Sequence, residues 1–323
     1  MAKALIPIET NSRAVQRGQA LMQRARKYAR ASKSANTIRA YRGAMQDFTH
    51  FCQEQSVSPL PASPETVIMY LAFIEQQSIS TIQQKLAAIA EAHRMAHLPD
   101  PTVDEDVRTV MDGLRRTLGS APHKKTPLLR EDLASVIGSL PNDLRGKRDR
   151  ALLLVGFAGA FRESELVALR VEDIEFSRTG LIVTVRKSKT DQTGQGLAKV
   201  IPVLQNKTLC PVTALKVWLR EAKITRGPLF RKVDQWNHVH KTALTPQSVA
   251  LVVKKAAQLA GLDPRKFAGH SLRSGFVTTA YAASVPEWSI QKQTGHRSIT
   301  TLRSYNQDEG AGAEEAARAA MGE

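Results

Sequence analysis

Cysteine is scarce in this chain. Cys52 and Cys210 are the two among 323 residues, and they fall in different expected domains. That excludes a disulfide scaffold, and both read as reduced thiols of a cytoplasmic protein. Long apolar runs are missing too: no stretch approaches the roughly 20 residues needed to cross a bilayer. The first residues carry no signal-peptide core, so a membrane span is not expected. No G-x-x-x-x-G-K-[ST] phosphate loop and no H-E-x-x-H zinc motif occur. His93 and His97 stand four apart without a third ligand, and His238 and His240 read as loop residues. Acidic residues are under-represented, with 30 Asp and Glu against 46 Lys and Arg, a net charge of +16 and a pI near 10.1. Between Arg13 and Arg42 lie nine basic residues and no acidic one. Charge of one sign laid along successive helices suits a polyanion, because each neutralised phosphate releases counterions.

What is present divides in two. At roughly 100 to 200 residues per domain, this length predicts two domains. From about residue 10 to 118 the periodicity is helical. Ile38, Tyr41, Met45 and Phe48 recur at spacings of three and four behind Ser34 as N-cap, and Ser63 with Pro64 opens another helix. Further helices begin after Ser80 and within "DEDVRTVMDGLRRTL", which makes residues 1–118 a bundle of four or five helices, with about the first ten residues expected to be disordered. "GSAPHKKTP", residues 119–127, breaks the pattern with two prolines and reads as a basic linker in which Lys124 and Lys125 can lie along a phosphate backbone. Residues 128–323 mix helices with three β-prone runs, "VEDIEF", "GLIVTVRK" and "AKVIPV". The expected class is therefore mainly α with a small antiparallel β-sheet: an N-terminal helical bundle followed by an α+β domain. An Ala-rich amphipathic helix at about 309–322 ends the chain and is free to dock on a neighbour.

Four short motifs carry chemistry. In "GHSLRSG", His270 and Arg273 share one helix face near the positive end of the helix dipole, a suitable place for a phosphate. In "FAGAFRESELVALR", Arg162 follows an apolar stretch and must be paired or functional, because an unpartnered buried charge costs several kcal/mol; Glu165, three residues on, is the available partner. "RKSKTDQTGQG" joins two expected strands and presents Lys187 and Lys189. In "TGHRSITTLRSYN", His296 and Tyr305 stand nine residues apart. A phenol with an ordinary pKa of about 10 becomes a useful nucleophile only among cations and proton acceptors.

In this order and spacing, Arg162 with Glu165, a hairpin lysine, His270-x-x-Arg273, His296 and Tyr305 resemble the signature of the tyrosine recombinases, the lambda-integrase and Cre-like family. The first domain is similar to that family's helical core-binding domain, most visibly at "TIQQKL". The resemblance implies that Tyr305 attacks a DNA phosphodiester to give a 3′-phosphotyrosine, with Arg162, Arg273 and His296 as donors to the phosphate oxygens. It implies that His270 assists deprotonation or binds the phosphate, that Glu165 orients its neighbours, and that Lys189, with Lys187 as the alternative, protonates the leaving 5′-oxygen. It implies no cofactor, neither metal nor nucleotide, and as partners a double-stranded DNA with inverted-repeat half-sites and a homo-tetramer, a dimer on each site, exchanging strands through a Holliday junction near the nucleoid. Some family members carry Trp where His296 stands. Arg39, Gln84 and Gln247 occupy places where Cre-like proteins face the major groove, and Arg suits guanine as Gln suits adenine. A type IB topoisomerase, which nicks and reseals without synapsis, and a non-catalytic DNA-binding relic are the competing expectations.

Overall fold

The computed structural model describes residues 12–31, 33–119, 125–186, 196–296, 298–303, 305, 318 and 321. The chain divides into two compact units, Met1–His123 and Lys124–Glu323. In the first, five helices are described: α1 (Ser12–Ala31), α2 (Ala35–Glu54), α3 (Pro64–Phe73), α4 (Ile79–Met95) and α5 (Glu105–Leu118). Ser34, Ser63 and Asp104 cap α2, α3 and α5 through side-chain oxygens that accept first-turn amides. The cap of α4 is Ser78 and not Ser80. Starting there brings Ile79 as well as Ile82 into the core. Phe48, Phe51, Tyr70, Ile89, Val107 and Met111 fill that core, each large apolar side chain contributing about 1.5–3 kcal/mol. His93 is wholly buried: its Nε2 accepts from the Ala62 amide at 2.9 Å, while Nδ1–H donates to the Ile89 carbonyl at 2.9 Å. Both ring nitrogens are thus occupied by the fold.

The second unit is built on α6 (Arg130–Ser139), α7 (Leu144–Ala158), α8 (Glu163–Ala168), α9 (Pro211–Glu221), α10 (Pro246–Leu259), α11 (His270–Ala282), α12 (Glu287–Thr294) and α13 (Ile299–Arg303). α7 is the central element, with Ala151 to Val155 almost wholly buried. Trp218 of α9 is buried, and its indole N–H donates to the Leu229 carbonyl at 2.9 Å. Strands β1 (Ile174–Phe176), β2 (Gly180–Val185) and β3 (Leu197–Pro202) form an antiparallel sheet in sequence order, with Leu181 opposite Ile201 and Val183 opposite Lys199. A second antiparallel pair, β4 (Arg231–Val233) and β5 (Val239–Ala243), was not expected. His238 lies in its turn, where Asp234 accepts the His238 and Trp236 amides, and His240 lies on β5 itself and not in a loop. Mainly helical structure with small antiparallel sheets matches the expected class. Most of the expected helix at 309–322 lies outside the described residues; Arg318 and Met321 are helical. Cys52 and Cys210 are free and buried, and among the described residues no helix is long and apolar enough to cross a membrane.

Candidate active site

α7 ends at a tight bend that determines where the first arginine goes. The Ala160 and Phe161 amides turn back to the Phe157 and Gly156 carbonyls at 2.9 and 3.1 Å, with Ala160 in the left-handed region at φ 46°. Phe161 folds its ring against Gly159, leaving no room there for a Cβ. The chain then enters α8 with Arg162 as its N-cap. Glu165, three residues into the helix, accepts the Arg162 amide at 3.1 Å with one carboxylate oxygen and the Arg162 guanidinium at 2.6 Å with the other. The glutamate side chain is 3% exposed and the arginine 18%, so the pair is anchored inside while Arg162 keeps an open edge.

α11 supplies the second arginine. Arg273 is wholly buried, a position costly for a charge unless its donors are met. Nη1 donates to the Ala160 carbonyl at 2.7 Å and Nη2 to His296 Nε2 at 2.9 Å, whereas Nε has no partner. Burial and the nearby Arg162 charge push its pKa down to about 10, against the pull of Glu165 and Tyr305. An unfilled N–H on a buried cation is a place for an acceptor that arrives from outside. At the start of α11, the Glu163 carboxylate accepts the His270 amide. That part of the helix N-terminus is therefore capped by a carboxylate. Burial holds the Glu163 pKa above the usual carboxylate range.

Gly295, at φ 69°, ends α12 and turns the chain so that His296 points inward. Its Nδ1 lies 2.8 Å from Thr294 Oγ1, whose own hydrogen goes to the Ile290 carbonyl at 2.8 Å. Nδ1 is therefore the protonated nitrogen, and Nε2 accepts from Arg273. Burial, followed by the charges of Arg273 and Arg162, drives the His296 pKa down to about 3. In this structure His296 Nε2 is thus an acceptor for Arg273.

Tyr305 follows α13. Its amide donates to the Leu302 carbonyl at 3.0 Å, and its side chain packs against the small apolar cluster of Val277, Ala280, Ile290 and Leu302. Arg303 fastens the helix through a two-pronged ion pair to Glu287, 3.0 Å on each prong. The phenol oxygen reaches His270 Nε2 at 2.8 Å, and the two imidazoles lie 5.7 Å (His270) and 5.4 Å (His296) from the tyrosine ring, centroid to centroid. Loss of water around the ring, then the charges of Arg273 and Arg162, hold the His270 pKa below its ordinary 6.5, so the ring is neutral at pH 7 and able to accept the phenol proton.

Arg162, Glu165, His270, Arg273, His296 and Tyr305 are thus brought together. Lys189 and Lys187 lie outside the described residues, as does Lys124. Lys125 donates to the Arg265 carbonyl at 2.8 Å. Arg39 on α2, bonded to Asn36 at 3.0 Å, is exposed, as are Gln84 on α4 and Gln247 in the first turn of α10. Sequence reasoning missed Lys199. It is 1% exposed on β3, where alternate residues Lys199 and Ile201 face inward, so its position on the buried phase of the strand was the available signal. Burial, outweighing the pull of Glu165, pushes its pKa down to about 7. Among the described residues no group of three His, Cys, Asp or Glu is arranged to hold a metal.

Residues 128–311 match the model of the phage integrase family. An integrase/recombinase xerD homolog of Selenomonas ruminantium is 39% identical over 296 residues, 90% of this chain and 87% of that protein. A tyrosine recombinase XerD of Listeria monocytogenes is 25% identical, over 84% of this chain and 88% of its own. In fold, the chain is similar to the Tn1549 transposon integrase solved with transposon right end DNA, with a TM-score of 0.62 and 17% identity over 91% of this chain and 97% of that one. A lambda integrase dimer solved on a COC′ core site gives 0.58 and 16%, over 90% of this chain and 77% of the other.

Proposed function

Because this chain belongs to the phage integrase family, we propose that it is a site-specific tyrosine recombinase that cuts and rejoins duplex DNA through Tyr305. The observation that carries the reading is the phenol of Tyr305 bonded to neutral His270 at 2.8 Å, beside a buried Arg273 with an unpartnered Nε. In the reaction, His270 takes the phenol proton as the oxygen attacks phosphorus, and the bond from phosphorus to the 5′-oxygen breaks. Arg273 and the open edge of Arg162 meet the charge on the non-bridging oxygens. Glu165 holds Arg162, and His296 holds Arg273. The leaving 5′-oxygen takes a proton from Lys189, with Lys187 as the alternative. The product is a 3′-phosphotyrosine whose bond energy is kept, so a different 5′-hydroxyl can reverse the step without metal or ATP.

The excess of 16 positive charges supports duplex DNA as the partner. Four protomers on two inverted-repeat sites, passing through a Holliday junction near the nucleoid, complete the proposal. Residues 1–118 would grip the DNA with Arg39 and Gln84, Gln247 would do so from the second domain, and Lys124 and Lys125 would follow the backbone between them. The test is a pool of random-sequence duplexes nicked so that cleavage traps the covalent adduct. Wild type should retain a subset of duplexes through denaturing electrophoresis, and Tyr305→Phe should retain none while binding the recovered duplex with unchanged affinity. Adduct in the Phe variant, or none in wild type, overturns the reading. Relaxation of any plasmid without exchange between recovered sites would assign a topoisomerase instead.

A further inference from the structure

The geometry points to Lys199 as a positioning residue: a buried ammonium that ties the Arg162 bend to the end of α12 and so sets the spacing of the two arginines and His296. The inference rests on the recombinase reading above and extends it to a residue that never touches DNA.

Nζ lies 2.7 Å from the Gly159 carbonyl, 3.4 Å from the Ala160 carbonyl and 2.7 Å from the Gln293 carbonyl, and 4.7 Å above the Phe161 ring. Three acceptors match the three N–H bonds of an ammonium; an amine would turn a lone pair toward one of them. The first two carbonyls belong to the bend that presents Arg162. The third lies three residues before His296. The Ala160 oxygen is shared, since Arg273 Nη1 also donates to it at 2.7 Å. One side chain therefore braces both the bend that presents Arg162 and the end of α12 that precedes His296, and shares an acceptor with Arg273. Ala160 is held in the left-handed region, which a residue with a side chain adopts only under constraint, and the paired bonds to its carbonyl and its neighbour's supply that constraint. With its three N–H bonds directed at main-chain carbonyls, Lys199 has no proton free for a leaving group. Gln293 reinforces the same joint, its amide donating to the Ala158 and Val200 carbonyls at 2.8 and 3.1 Å.

Two measurements on the full chain test this. With the duplex recovered from the trapping pool, Lys199→Met should slow single-turnover adduct formation by roughly 100-fold, the scale of a misplacement of about 1 Å, with DNA affinity kept within about twofold because the lysine is not at the surface. Lys199→Arg, which retains charge and donors, should recover at least about a tenth of the wild-type rate. A folded Met variant cutting at the wild-type rate, or an Arg variant no better than Met, overturns the inference. Independently of DNA, nitrogen NMR of wild type at pH 6 should show one slowly exchanging lysine ammonium, absent in Lys199→Arg, and the His296 ring signals should move in Lys199→Met. His296 signals unchanged in a folded Met variant refute the bracing role even if wild type cuts no duplex, in which case the recombinase reading fails separately.

Discussion

Replacing Glu165 by Gln tests the site at its one buried carboxylate pair with opposite expectations for stability and binding. Breaking a buried ion pair by removing one partner costs about 3–5 kcal/mol. Here Arg162 keeps 18% of its side chain in water, so part of the uncompensated charge is relieved. Gln also keeps a carbonyl oxygen for one of the two Arg162 donors, recovering about 1 kcal/mol. The net loss is about 2 kcal/mol, which for a unit of this size lowers Tm by roughly 4–8 °C. Glu165 is also the group that raises the pKa of Lys199 against burial and two arginines. Without it the Lys199 pKa falls below about 7, and the brace loosens at neutral pH. Adduct formation should drop about 10- to 100-fold through a misaligned Arg162. Affinity for duplex DNA should not fall, because the variant has one negative charge fewer. Calorimetry, single-turnover cleavage and a binding titration at fixed salt provide the three readings. A Tm within about 1 °C of wild type would refute the claim that the carboxylate anchors Arg162; weaker DNA binding would refute the assignment of Glu165 to an internal role.

Other outcomes follow from the same geometry. Since neutral His270 is the competent base and its pKa lies below 6.5, the cleavage rate should decline as pH falls through a value under 6.5; a rate that climbs on acidification below pH 6.5 would remove His270 from the role. His270→Gln should slow cleavage by about 10²–10⁴-fold with the fold intact by circular dichroism. His93→Ala leaves the Ala62 amide unpaired in a core, at a cost of at least about 1–3 kcal/mol, so the first unit should melt earlier while the catalytic unit is unaffected; a common shift in both transitions would contradict their separate cores. Binding to DNA should weaken linearly on a log–log plot of affinity against salt, with a slope of about −0.9 for each phosphate neutralised, and a flat plot would exclude backbone contacts.

Most of the cluster was legible because its members sit at helix starts, where local rules operate. Arg162 with Glu165 reads as a cap and its partner three residues on, and His270 with Arg273 shares one turn. The pairing of His270 with Tyr305 spans 35 residues, and only the family resemblance brought them together in advance. Lys199 escaped notice because its three acceptors lie 39, 40 and 94 residues away, and nothing near it in sequence marks them. The hydrogen-bonding direction of His296 was likewise hidden, since the Thr294 hydroxyl and Arg273 decide which nitrogen carries the proton. β4 and β5 are three and five residues long with little burial alternation, and an Asp234 turn rather than a hydrophobic pattern joins them.

The acceptors that hold Arg273 and Lys199 include the oxygens of residues 159, 160 and 293, and these belong to the peptide chain itself. A codon change can replace a side chain but cannot delete a peptide oxygen. Lineages descending from such an ancestor are free to rewrite the letters around this joint as long as the path of the main chain survives, and homologues of low identity can inherit the same cradle for a charge.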